Sequence, residues 1–323
     1  MPALEHPLKG WIPYKLIIED KVPLVYWLYT ADYSFTDPFF EETIARCKSH
    51  KYNSSNYTCV SSIESMIEWA DKLPNTAPVT FIFHISRCGS TLLSQLLGLN
   101  KKNTVLSEVP FFDEILRLPY KLQSINNQFR EKILQASVKF VGQKKTGEEE
   151  HLFIKTDSWH ICFYKTLRLI YPSASIILLY RTPDEVVCSH QKQRGMQGVP
   201  RIIEPQIFDF NEQEINKLNL DVYTTKVLEK YFLLFEEITQ QDNLALLLDY
   251  KQGAIPMIQQ IAGHLKTDWD EKHILAMLDR IKFHSKHPKQ TFEKEIKPPE
   301  MPNYLQDIME LYKSLEKKRN GVT

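Results

Sequence analysis

The 323-residue chain is poor in several things, and each shortage excludes a class of function. Its five cysteines, Cys47, Cys59, Cys88, Cys162 and Cys188, are scattered without any CxxC pair. An odd, dispersed set argues against a disulfide framework or a thiolate zinc site and predicts the reduced thiols of a cytoplasmic protein. Neither sign of charge is in excess: forty Lys plus Arg stand against forty Asp plus Glu. No global field therefore draws the protein to nucleic acid or to an anionic membrane, and any anion site must be local. Long apolar runs are missing as well. "ASIILLY" is far short of the roughly 20 residues that span a bilayer, and proline and charge interrupt "MPALEHPLKGWIPYKLIIEDK" where a signal peptide would be continuous. The ten histidines form no HxxxH or mixed His and acid cluster, so no metal site is expected. No internal repeat is visible.

What remains is ordinary globular material, 43% hydrophobic and 25% charged, with length for a sizeable core. Residues 1–75 mix extended and helical signals and read as an N-terminal α+β extension that packs on the core and shapes a substrate site. Within them "KVPLVYWLYT" reads as a strand, "DPFFEETIARCKSH" as a helix, and "SSIESMIEWADKL" as a second helix with Ser61 and Glu64 as its capping box. "PNTAP" is the hinge to the second part of the chain. From residue 79, short apolar runs ("VTFIFHI", "LFIKT", "SIILLY", "LALLLDY") alternate with amphipathic helices. That pattern predicts a parallel sheet covered on both faces, a three-layer α/β/α domain over 76–290. Residues 291–323 read as a helical tail. The charge-rich "KKTGEEE" and "EKKRNG" read as solvated loop and frayed end.

The stretch "FIFHISRCGSTLLSQLL", residues 81–97, runs from a strand through a Gly-containing turn into a helix. Such a turn aims the free amides and dipole of a helix N-terminus at one spot and binds anions. Gly89 permits close approach, Ser90 and Thr91 add hydroxyls, and Arg87 adds a forked cation. The pattern GxxxxGK[ST] is not met, since Cys88-Gly89-Ser90 lacks the lysine. A second strand, turn and helix, "SIILLYRTPDEVVCSHQKQRG", places Arg181 at the strand end and Ser189 two helical turns on. An arginine where a nucleotide triphosphatase carries a magnesium-binding aspartate suits a second anionic group better than a metal.

Together the two segments resemble the PAPS-dependent sulfotransferases, in their bacterial-type form, whose donor is 3′-phosphoadenosine 5′-phosphosulfate (PAPS). In that family a K/R-x-G-[ST]-T loop holds the 5′-phosphosulfate and an R-x-P-x-x-x-x-x-S segment grips the 3′-phosphate. Arg87-Cys88-Gly89-Ser90-Thr91 and Arg181-Thr182-Pro183 through Ser189 match both, in order and roughly ninety residues apart. The resemblance implies a P-loop-containing α/β fold, PAPS as donor co-substrate, and transfer of a sulfuryl group to a hydroxyl or amine. It implies donor contacts from Arg87, Cys88, Gly89, Ser90, Thr91, Leu92, Arg181, Ser189 and, in "HSKHP", Lys286. Leu92 stands where cytosolic members carry an aromatic ring, and Arg87 takes the place of the cation that stabilises the leaving phosphate.

For the base, the resemblance points first to Glu108 in "VLSEVPFFDEIL". Asp157, following Lys155-Thr156, and His160 are the alternatives, although Asp157 also suits the N-cap of a helix over 158–171. Cys88 reads as a space-filling residue or, at a helix N-terminus, as a reactive thiol. The loop over 192–210 and "PYKLQSINNQFR" read as further acceptor walls, for a small-molecule, lipid or peptide acceptor. Two other readings stand beside this one: a P-loop phosphotransferase or ATPase, with Asp249 in "LALLLDY" as the metal-binding strand end, and a non-catalytic nucleotide binder.

Overall fold

The computed structural model describes residues 6–31, 33–55, 57–122, 125–283 and 302–321. The apolar runs are strands, and they pair in one five-stranded sheet. β4 (Val79–His84) lies at its centre, flanked by β6 (His151–Lys155) and β7 (Ser175–Tyr180), with β5 (Asn103–Ser107) and β8 (Ala245–Asp249) at the edges. All four pairings are parallel. Phe81, Ile82 and Phe83, Leu152 to Ile154, and Ile176 to Leu179 are buried, as strands covered on both faces must be.

The covering helices are α3 (Ser90–Leu97), α4 (Pro110–Leu116), α5 (Leu118–Lys121), α6 (Asn127–Val141), α7 (Tyr164–Ile170), α8 (Pro183–Lys192), α9 (Glu212–Ile215), α10 (Leu220–Gln241), α11 (Ala254–Leu265), α12 (Glu271–Arg280) and α13 (Gln306–Arg319). The run read as one helix over 158–171 opens instead as a 3-10 turn, Ser158–Phe163, before α7 begins. Among the described residues no helix is long and apolar enough to cross a membrane.

The N-terminal residues form a three-stranded antiparallel sheet, β1 (Trp11–Glu19), β2 (Val22–Tyr29) and β3 (Cys59–Ser62), with α1 (Phe40–Cys47) and α2 (Ile63–Asp71). The Trp27 ring meets Phe140 of α6 edge-on at 4.6 Å, which ties this sheet to the core. The outer edge of β1 is covered: the Leu16 N–H donates to Glu114 at 2.7 Å, and the side-chain amide of Gln143 donates to the Trp11 carbonyl at 3.0 Å. The cap of α2 is Ser62, which accepts from the Ser65 N–H at 3.1 Å, one residue later than the expected Ser61 and Glu64 pair; the Ser61 hydroxyl instead accepts from Trp27 Nε1 at 2.8 Å.

Two charge-rich segments are better integrated than their composition implies. Glu149, in the expected solvated loop, is buried and accepts from the N–H groups of Lys145, Thr146 and Gly147 at 2.8–3.0 Å. At the other end of the chain, α13 buries Ile308, Tyr312 and Leu315, and its last turn is engaged rather than frayed.

Chain order decides where a ligand can sit. From β4 the chain goes to β5 on one side of the sheet, whereas from β7 it goes to β8 on the other. The C-terminal ends of adjacent β4 and β7 thus form a topological switch point, where loops diverge and leave a crevice.

Candidate active site

The loop after β4, residues 85–89, is conformationally unusual. Ser86 (φ 67°), Arg87 (φ 51°) and Gly89 (φ 81°) all occupy the left-handed region, which side chains other than glycine rarely enter. Such a turn bends backbone amides inward toward the start of α3. At Gly89 a side chain is excluded twice, by its φ and because an added Cβ would lie 2.2 Å from the Tyr250 ring. The Ser90 and Thr91 side chains are largely buried at the start of α3, and Leu92 packs partly against the core. Cys88 points into the sheet: it is fully buried, its thiol donates to the Leu179 carbonyl at 3.4 Å, and burial pushes its pKa up to about 12. Of the two readings of Cys88, space filling is the one the packing supports, and only its backbone can face a ligand.

Arg181 reaches the same loop from the end of β7. Its Nη1 donates to the Arg87 carbonyl at 3.2 Å, its Nε pairs with Glu185 at 2.8 Å, and its guanidinium lies 5.2 Å from the centre of the Tyr250 ring. Beside it the Thr182 hydroxyl is buried without a hydrogen-bond partner among the described residues. The Arg87 side chain crosses to the end of α8 and donates to the Gln193 carbonyl at 2.5 Å. Ser189 is buried on α8. Lys286 lies outside the described residues.

A second group of charges sits at the ends of β5 and β6. Glu108 also has a left-handed backbone (φ 54°), held by its N–H donating to the Lys155 carbonyl at 2.8 Å. Its carboxylate meets Lys155 Nζ at 2.7 Å and His84 Nε2 at 3.5 Å. Lys155 is fully buried, and its ammonium also lies 5.3 Å from the centre of the Phe39 ring. Burial pushes the Glu108 carboxyl up, but the Lys155 charge and the His84 N–H overrule it, and its pKa ends well below the usual carboxylate range.

His84 couples this pair to the loop. Its Nδ1 accepts from the Ser86 N–H at 3.1 Å, so the proton is on Nε2, which donates to the Thr156 carbonyl at 2.9 Å. Burial lowers its pKa and keeps the ring neutral.

Asp157 and His160 are committed to each other. The Asp157 N–H donates to His160 Nδ1 at 3.3 Å, half of a capping box on the 3-10 turn, and His160 Nε2 donates to Asp113 at 2.9 Å. Asp113 also accepts from Trp159 Nε1 at 2.6 Å and from Arg117 at 2.9 Å. Asp113, Asp157 and His160 have metal-ligand spacing, but both imidazole nitrogens are spent within the network. Burial raises the Asp157 carboxyl to about 7, whereas hydrogen bonds from His160 and Trp159 and the Arg117 charge outweigh burial at Asp113 and take it to about 2. Arg117 continues outward to Glu204 at 2.7 Å and the Ile202 carbonyl at 3.0 Å, fastening the irregular 192–210 segment to this cluster.

Asp249 is fully buried, caps the turn after β8 by accepting from the Lys251 N–H at 3.0 Å, and accepts from the Tyr312 hydroxyl at 2.8 Å. These contacts leave it a structural acid rather than a metal-binding strand end. Neither His84 nor Tyr250 is among the site residues expected from the sequence. His84 is visible there as the one ionisable residue in "VTFIFHI", and Lys155 as the one charge in "LFIKT". Nothing local marks Tyr250.

No family model matches the chain, and no curated protein matches its sequence. Several solved structures are similar to it. They include sulfotransferase STF9 from Mycobacterium avium, at 10% identity over 79% of this chain and 81% of that one, with a TM-score of 0.48. The sulfotransferase domain of the Synechococcus PCC 7002 olefin synthase is 14% identical over 75% and 95%, with a TM-score of 0.46. A sulfotransferase from Alicyclobacillus acidocaldarius is 12% identical over 77% and 96%, with a TM-score of 0.44.

Proposed function

We propose that the protein transfers a sulfuryl group from 3′-phosphoadenosine 5′-phosphosulfate to the hydroxyl of a small-molecule, lipid or peptide acceptor. One observation carries this reading. Two arginine-bearing loops converge at the switch point, with Arg181 donating to the carbonyl of Arg87 itself, two residues before Gly89, where only a glycine fits.

The residues fit such a donor. The amides around Gly89 to Thr91 and the positive end of α3 suit a phosphosulfate, and Arg181, with the Thr182 hydroxyl beside it, suits a second phosphate. Tyr250 offers a ring between the two. The donor supplies an activated sulfur and a stable leaving phosphate. Glu108 takes the proton of the acceptor hydroxyl as its oxygen bonds to sulfur, while the electron pair of the broken S–O bond stays on the phosphate. As Glu108 is neutralised, the Lys155 ammonium loses its counter-charge and becomes available to the charge building on the leaving group, together with Arg87. Glu108 is a weak base at rest, so its proton transfer belongs late in the step, when the acceptor oxygen has become acidic.

The phosphotransferase alternative lacks a carboxylate for magnesium at β8, because Asp249 is spent on Tyr312 and the turn after the strand. Thermal melts with adenosine 3′,5′-bisphosphate, 5′-AMP and ATP with magnesium test the reading. The bisphosphate should raise Tm most; stabilisation by ATP with magnesium alone would overturn it.

A further inference from the structure

We infer that α13, the last helix of the chain, is a working part of the donor site, and that Tyr312 and Glu316 are positioning residues for Arg181 and Tyr250. The inference rests on the donor reading above. Arg181 directly follows Tyr180 at the end of β7, and Tyr250 stands between Asp249 and Lys251 at the end of β8. Each of those three neighbours is tied to α13. The Tyr180 hydroxyl donates to Glu316 at 2.6 Å, the Tyr312 hydroxyl donates to Asp249 at 2.8 Å, and Lys251 pairs with Glu316 at 2.6 Å and with Asp249 at 3.2 Å. Lys251 also bonds the Tyr312 hydroxyl, and Arg319 closes the group onto Glu316 at 2.9 and 3.0 Å.

This network does more than fasten a helix. The apolar face of α13, with Ile308 and Leu315 buried, already attaches it to the core. Its polar face is aimed at the residues next to the two donor-site groups. Tyr180 and Asp249 are wholly buried, and two carboxylates are matched by two cations, so the groups are satisfied and fixed relative to one another. Without them the turn Tyr250–Gln252 would be a short 3-10 segment followed by Gly253 at φ 88°, a natural pivot. With them, the Tyr250 ring is held against Gly89 and under Arg181 before any ligand arrives.

The test compares three variants of the full chain by calorimetric titration with adenosine 3′,5′-bisphosphate and by thermal melting. Tyr312→Phe and Glu316→Gln should each raise the dissociation constant about tenfold, the scale expected when a binding group is displaced by a fraction of an ångström. They should also speed hydrogen exchange of the amides of 249–252. Ile308→Val, which thins the apolar contact of the same helix, should lower Tm and leave the dissociation constant alone. Wild-type affinity in both polar variants would overturn the positioning role while leaving the donor reading intact. Failure of the unaltered protein to bind the bisphosphate would overturn the donor reading and this inference with it. Should Glu316→Gln not fold, Tyr312→Phe, which removes a single hydroxyl, decides the matter.

Discussion

The ends of β4, β7 and β8 and the ends of β5 and β6 lie along one edge of one sheet, yet they are built from opposite materials. The first region presents guanidinium groups and backbone amides around a loop in left-handed conformation, with its carboxylates Glu185 and Asp249 engaged by Arg181 and by the Tyr312 hydroxyl. The second gathers Glu108, Asp113 and Asp157 around one buried lysine and two histidines. A parallel sheet brings every strand's C-terminal end to the same edge, so an anion cradle and an acid–base group can be neighbours without sharing residues. His84 is the hinge between them, with one ring nitrogen on the loop and the other facing Thr156 and Glu108. On the proposed function the two regions divide the labour, one binding the donor and the other moving a proton.

That division can be broken experimentally. The largest expected effect is Glu108→Gln, which should cut sulfate transfer from labelled donor to acceptors in cell extract by about 10²–10⁴-fold while the bisphosphate binds as before. Parallel loss of binding would mean that the two regions are one. Next comes Gly89→Ala, where φ 81° and the Tyr250 ring at 2.2 Å both oppose a methyl group. Bisphosphate affinity should fall about 100-fold, and Tm should drop by the equivalent of about 1–3 kcal/mol. Unchanged binding would detach Tyr250 from the site.

Arg181→Ala sharpens the comparison within the binding region. Affinity for adenosine 3′,5′-bisphosphate should fall about tenfold, as for loss of a charge-assisted hydrogen bond, whereas that for 5′-AMP should hardly move. Equal losses would assign Arg181 to the other phosphate. The smallest effect on turnover is expected at Asp157, and it is best read in stability against pH. Its folded pKa, raised to about 7, lies above its unfolded value near 3.8. The native state therefore keeps the proton longer, and this residue's contribution falls as pH rises from about 4 to 7 and is flat above. Asp157→Asn should accordingly stabilise the protein by about 1–2 kcal/mol at pH 8 and by progressively less toward pH 5. A gain that does not vary with pH would show that Asp157 is not protonated in the fold.

Much of this was legible in the chain. The runs around Phe81, Ile154, Ile177 and Leu247 announced buried parallel strands, because a strand covered on both faces has no reason to alternate. Arg87, Gly89 and Arg181 could be singled out because a strand, turn and helix is a local unit and its anion-binding amides are consecutive residues. Glu108 was legible only through the family resemblance, and nothing local showed that Lys155 would face it.

The sequence by itself determined the layered α/β class, the cradle around Gly89 and the second arginine, since each follows from residues within one or two turns of each other. Only the tertiary structure decided how those pieces are used. It turned Cys88 into the sheet, spent His160 and Asp157 on a capping turn, and tied Asp249 to Tyr312 sixty-three residues away. It also brought Tyr250 over Gly89 and fastened the C-terminal helix α13 to the ends of β7 and β8. Burial and partner, the two things that set a side chain's charge and direction, come from distant parts of the chain, and no local pattern encodes them.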